Sequence, residues 1–244
     1  MKRLIILFFL ACTGFNCWAA GDTAHTEHAG VNVFDTAALQ RGAALFTQYC
    51  LGCHAAEYVR YQRLADDLGL NEDQIRMLMP AEGKVGDTLA IAMDPASAER
   101  WLGKTPPDLS LVARSRSEDW LFTFFKSFYR DPAGGWNNAL FPDLSMPHAL
   151  WQLQGIQEPV YHTMVNKETG VTEHSIDHLQ LAVPGKLNAE EYAASIRDLV
   201  AFLSYIGEPA RLQRSKIGWK VLLFLAFFAF LAYLLKAEYW RDVH

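Results

Sequence analysis

The chain has 244 residues, with 22 lysines and arginines against 27 aspartates and glutamates, a formal net charge of −5 and 51% hydrophobic residues. An acidic balance of this kind excludes nucleic acid as the partner and suits a basic protein instead. The length suits one domain with insertions rather than a minimal domain.

The N-terminal stretch MKRLIILFFLACTGFNCWAA has two basic residues, an apolar run from Leu4 to Ala11 and small residues at Ala19 and Ala20. It reads as a secretory signal peptide over residues 1–20, cleaved near Ala19 or Ala20, with a lipoprotein-type signal ending at Cys12 as the alternative. Removing it takes Cys12, Cys17, Lys2 and Arg3 away, so the exported chain is more acidic and keeps only Cys50 and Cys53.

In DTAALQRGAALFTQYC, residues Leu39, Ala43, Phe46 and Cys50 recur at intervals of three and four behind an N-cap at Asp35 or Thr36, which predicts a helix. It runs into Cys50-Leu-Gly-Cys53-His54. A disulfide, a redox dithiol, half a zinc site and a covalent haem attachment compete for that motif. Zinc wants a second ligand pair, which the sequence lacks. A thioredoxin-like dithiol wants a strand before it, where this chain has helical spacing. The haem reading uses every residue: two thiols on one turn add to the two vinyl groups of one porphyrin, and His54 reaches the iron.

Residues 71–105 have mixed polarity and no clear period and read as an insertion with some helix. SEDWLFTFFKSFYRDP predicts a helix opened by Ser117 and stopped before Pro132, with Trp120, Phe124, Phe125 and Phe128 on an aromatic face. Candidates for a sixth iron ligand are Met77, Met79, Met93, Met146 and Met164, with His148, His162, His174 and His178. Met77 and Met93 read as core packing. Met146 lies in FPDLSMPHALW, a stiff non-helical stretch flanked by Pro142 and Pro147, and is the favoured ligand. Ligation by His54 and Met146 gives a low-spin iron with a raised potential and no room for substrate.

The block from Ile156 to Leu187 reads as a two-stranded hairpin turning near Lys167 to Gly170, with its three histidines facing solvent. Asn188 and Glu191 form a capping-box pattern before a helix whose stripe is Tyr192, Ile196, Leu199, Val200 and Leu203. That helix is expected to cross the one before Cys50 at Gly42.

The uncharged run from Val221 to Leu235 covers about 22 Å, short of a hydrocarbon core of about 30 Å. Lys220 and Lys236 can snorkel, and Trp219 and Trp240 stand about 32 Å apart along a helix, so a single membrane anchor is expected. Arg211, Arg214, Lys216 and Lys220 outnumber the cations after the span, which alone would place the domain in the cytoplasm; the signal peptide and CxxCH place it outside.

RGAALFTQYCLGCHAAEYVRYQRL, GKTPPDLSLVARSRSEDW, MPHALWQLQG, YAASIRDLVAFLSYIGEP and the span ending KAEYWRDVH together resemble the cytochrome c1 family, the haem-bearing subunits of the cytochrome bc1 complex. The resemblance implies a mainly α fold: a cytochrome c-like haem domain with insertions over residues 21–210, one C-terminal transmembrane helix over 211–236 and a cytoplasmic tail over 237–244. It implies one haem c, with thioether bonds at Cys50 and Cys53, His54 as proximal and Met146 as distal ligand. Pro106 and Pro107 would line the histidine side and offer a carbonyl to His54 Nδ1. Arg116, with Arg114 as its alternative, would meet a propionate. The implied role is electron relay from the Rieske iron–sulfur protein to a cytochrome c acceptor, beside a cytochrome b subunit, on the periplasmic side of the cell inner membrane. The competing readings are a lone membrane-anchored carrier and a peroxidase-like haem enzyme. RSRSEDW is shorter than the glycine-containing version in many relatives, and the hairpin block varies.

Overall fold

The computed structural model describes residues 26–91, 93–165 and 172–242. The signal peptide with Cys12 and Cys17 lies outside them, as do the hairpin turn near Lys167–Gly170 and the side chains of Met164 and His174.

Helix α1 (Thr36–Tyr49) starts where the Asp35 carboxylate accepts from Ala38 N and buries Leu39, Gly42, Ala43 and Phe46 along one face. Its partner comes from far along the chain. Helix α8 (Ala189–Gly207) opens with the Asn188–Glu191 capping box and buries Tyr192, Ile196, Leu199, Val200 and Leu203. The two cross at Gly42, where a Cβ would sit 2.1 Å from the Asp198 carbonyl oxygen, so only glycine lets the backbones meet. Phe46 packs on Phe202 with ring centroids 5.5 Å apart, and Arg41 grips Asp198 through two bonds of 2.6 and 3.0 Å. Burying these apolar chains supplies about 1.5–3 kcal/mol each.

Between them the chain builds smaller elements. Strand β1 (Ala56–Arg60) follows the CxxCH turn at once and pairs antiparallel with the short β2 (Thr88–Leu89). Helix α2 (Tyr61–Leu68) ends at Gly69, at φ +64°, and α3 (Glu72–Leu78) starts with an Asn71–Gln74 capping box. Helix α4 (Pro95–Leu102) is capped by Asp94 and has Pro95 in its first turn. The insertion therefore carries two helices and a strand.

Helix α5 (Val112–Ser115) is one turn, and α6 (Glu118–Lys126) follows Ser117. The sequence extends α6 to Pro132, but it stops at Lys126: Phe128–Arg130 form β3, paired with β4 (Trp136–Asn138) around the positive-φ glycines Gly134 and Gly135. The aromatic run suits either state, and strand pairing claims Phe128. After α7 (Trp151–Gln154) the hairpin forms, β5 (Gly155–Val165) with β6 (Thr172–Pro184).

The N-terminal segment straps over α6. Glu27 N donates to Thr123 Oγ1, Ala29 N donates to Asp119 Oδ1 at 2.8 Å, and Arg197 of α8 holds the Ala29 carbonyl.

Helix α9 (Ala210–Tyr239) is exposed along its length and is long and apolar enough to cross a membrane. Two of the four cations before the apolar run meet domain carboxylates: Arg214 pairs with Glu208, and Arg211 stands 3.9 Å from Glu118. The fold is mainly helical with one apolar C-terminal helix, as the sequence leads one to expect.

Candidate haem site

Helix α1 unwinds at Cys50, whose carbonyl accepts from Cys53 N at 3.0 Å and His54 N at 2.8 Å, gathering the three residues on one tight turn. Cys50 and Cys53 are free thiols. Burial, helped by Cys53, pushes the Cys50 thiol up to about 12. A redox dithiol needs its thiol pushed the other way.

His54 Nδ1 donates to the Pro107 carbonyl oxygen at 2.8 Å. A carbonyl only accepts, so the proton sits on Nδ1 and Nε2 keeps its lone pair. Burial also lowers the His54 pKa, which favours the neutral ring a metal requires. The PPDLS segment is pinned beside β1 to present that carbonyl. Leu109 N donates to Ala55 O, Glu57 N to Asp108 Oδ2, Ser110 N to Asp108 Oδ1 and Tyr58 N to Ser110 Oγ. Asp108 and the fully buried Ser110 are the positioning residues the sequence reading passed over; the Pro-Pro-Asp-x-Ser spacing was their signal.

The two candidate arginines part company. Arg114 stands 3.6 Å from Glu208, whereas Arg116 has no carboxylate partner among the described residues and lies over the rings of Trp120 at 4.9 Å and Phe141 at 5.6 Å. Between Arg116 and α6, Ser117 holds φ 136°, a conformation that favours glycine, while its hydroxyl accepts from Trp120 N.

Met146 lies in the irregular stretch between β4 and α7, part-buried against the core cluster. Side chains hold this loop. The buried Asn138 accepts from Leu140 N and Phe141 N through Oδ1 and donates to Phe124 O, and Asn137 Oδ1 accepts from Asp143 N.

Other ligand candidates are placed elsewhere. His148 is 2% exposed, stacked on Phe128, and its Nε2 lies 2.6 Å from Gln154 Oε1. Gln154 gives its own amide hydrogen to Lys126 O, so Oε1 is the end facing His148 and Nε2 carries the proton. Nε2 is thereby committed to Gln154, and burial lowers this histidine to about 4. His162 and His178 are exposed. Met77, read as core, is instead 77% exposed, because α3 buries only Ile75. It borders a groove of about 650 Å³ that includes Leu51 and Gly52 but neither His54 nor Met146.

The site's residues fit a haem. Free thiols sit on one turn, a histidine of fixed tautomer follows, a thioether lies in a loop pinned by side chains, and no three His, Cys, Asp or Glu side chains among the described residues converge on one ion. A family model described as the Cytochrome C1 family matches residues 26–158 and 185–243. The chain belongs to the cytochrome c1 family. Cytochrome c1 of Allochromatium vinosum is 47% identical over the whole of both chains. A protein of Nitrosomonas europaea named ammonia monooxygenase gamma subunit is 40% identical, over all of this chain and 99% of the other. Cytochrome c1 of Rhodospirillum rubrum is 28% identical over 86% of this chain and 83% of its own.

Cytochrome c1 proteins carry covalent haem c and are membrane-anchored electron carriers of the bc1 complex. The interval between the two matched stretches, 159–184, holds the part of β5 beyond Glu158 and the whole of β6.

Proposed function

We propose that this member of the cytochrome c1 family relays single electrons from a Rieske iron–sulfur protein to a cytochrome c acceptor, beside a cytochrome b subunit. In this reading residues 1–20 direct export, residues 21–210 form the haem domain on the periplasmic side, and residues 211–236 cross the inner membrane once, leaving 237–244 in the cytoplasm. The observation that carries it is the His54 to Pro107 hydrogen bond beside two free thiols.

Haem c, when bound, supplies a one-electron couple. Cys50 and Cys53 would hold it through their thiols, and His54, whose Nδ1–H donates to the Pro107 carbonyl, would offer Nε2 to the iron. Met146 would offer its thioether as the second protein ligand. Arg116, which has no carboxylate partner among the described residues, would compensate a propionate. With His54 and Met146 both committed to the iron, the chain would leave no open site for a substrate, and its acidic balance would steer a basic acceptor.

The test is mild detergent extraction with a tag after His244, followed by redox difference spectra with and without quinol. Co-purification of b haems and a Rieske signal, with quinol reducing the c haem, supports the reading. A c haem that purifies alone and stays oxidised refutes it in favour of a lone carrier or a haem enzyme.

A further inference from the structure

Met146 is placed by a loop that has no backbone ladder of its own. Upstream, Asn137 and Asn138 bind the amides of Leu140, Phe141 and Asp143, so the loop leaves β4 in one direction. Downstream, two residues past Met146, the chain dives inward at His148.

That ring lies between two aromatics, face to face with Phe128 of β3 at 4.6 Å and 6°, and edge-on to Trp136 of β4 at 5.3 Å. A phenylalanine would fill the same slot without the cost of burying a polar ring. What the imidazole adds is one directed bond, from Nε2–H to Gln154 Oε1, and Gln154 in turn donates to the Lys126 carbonyl at the end of α6. The bond therefore ties the loop after Met146 to the helix that carries the aromatic wall. A single thioether–metal contact cannot order a long loop against its conformational entropy, so the loop has to be ordered beforehand.

We propose that His148, through Gln154, is a positioning residue that fixes Met146 as the sixth ligand of the haem iron. This rests on the reading of Met146 as that ligand. The hairpin strand β5 starts at Gly155, directly after Gln154, and Gln157 also donates to the carbonyls of Lys126 and Phe128. The base of the hairpin and the ligand loop therefore share one anchor.

The experiment uses the full chain in its own membranes and compares His148→Phe, Gln154→Leu and Met146→Leu. Gln154→Leu is the cleaner probe: it leaves the aromatic sandwich intact, and Lys126 O keeps its bond from Gln157. The readouts are the methionine-to-ferric-iron charge-transfer band, the reduction potential and carbon monoxide binding by the reduced haem. The proposal expects both His148→Phe and Gln154→Leu to keep covalent haem, lose or weaken the band, lower the potential and admit carbon monoxide. If His148→Phe yields no haem protein, Gln154→Leu alone decides. A band, potential and carbon monoxide exclusion unchanged in Gln154→Leu, while Met146→Leu abolishes the band, overturns the positioning role. A band untouched by Met146→Leu shows instead that the ligand reading has failed, and the proposal falls with it.

Discussion

His54 Nδ1 donates to the carbonyl of Pro107, which lies 53 residues further along the chain, across a gap of 2.8 Å. The bond is only as good as the fixing of that carbonyl, and Asp108 supplies the fixing by accepting from Glu57 N and Ser110 N.

Asp108→Ala therefore leaves two backbone amides without their acceptor. A loss of about 1–3 kcal/mol is expected in denaturant unfolding followed by haem absorbance, with Asp108→Asn recovering part of it. An unchanged midpoint would mean that the PPDLS segment is held by Leu109 and Ser110 alone.

Gly42→Ala tests the helix crossing. The new methyl would meet Asp198 O at 2.1 Å and Phe202 Cβ at 2.7 Å, both on a packed helix with no flexible end to yield. The helices must separate, at about 3 kcal/mol. Calorimetry that finds the variant as stable as the parent contradicts the crossing point.

Ser117→Gly runs the other way. The φ of 136° costs a serine about 1–3 kcal/mol, while glycine as an N-cap is worse by only a few tenths. A net gain of about 1 kcal/mol is expected as a raised Tm, and a lowered Tm would show that the hydroxyl bond to Trp120 N outweighs the backbone strain.

The strap gives a pH dependence. The Ala29 amide, and to a lesser degree His28, hold the Asp119 carboxyl below its ordinary value. A carboxyl lowered in the folded state contributes stability above its unfolded pKa and loses it as the pH falls through the folded one. Asp119→Ala should thus lower Tm near neutral pH, with the gap closing in acid below the ordinary carboxylate range. A gap that stays constant as the pH falls means the carboxylate charge plays no part.

Much of this was readable from residue types. CxxCH needs no tertiary knowledge, since the two thiols and the histidine lie on one turn wherever the chain goes. The α1 and α8 stripes were legible because caps and period agree, and Gly42 because a glycine on a buried stripe signals close approach. The short strands were not legible: β2 has two residues and β3 and β4 three each, too few for a period, and Phe128 belongs equally to a helical aromatic face. Met77 misled because helical spacing says nothing about which face is covered. The buried roles of His148, read only as a candidate ligand, and of Ser110 were hidden because a buried polar side chain is recognised by its partners, and Gln154 and Tyr58 become partners only on folding.

Gln154 ties the stretch after Met146 to the base of the β5–β6 ribbon, Gln157 ties that base to the carbonyls of Lys126 and Phe128, and the family match breaks off just beyond, at residue 158. Each of these bonds lies on the near side of that boundary. Past it β5 and β6 pair with each other, so adding or removing matched pairs of residues there extends or trims a ladder. Because the cost of closing a loop grows only slowly with its length, this is where the chain can change size while the haem chemistry stays fixed.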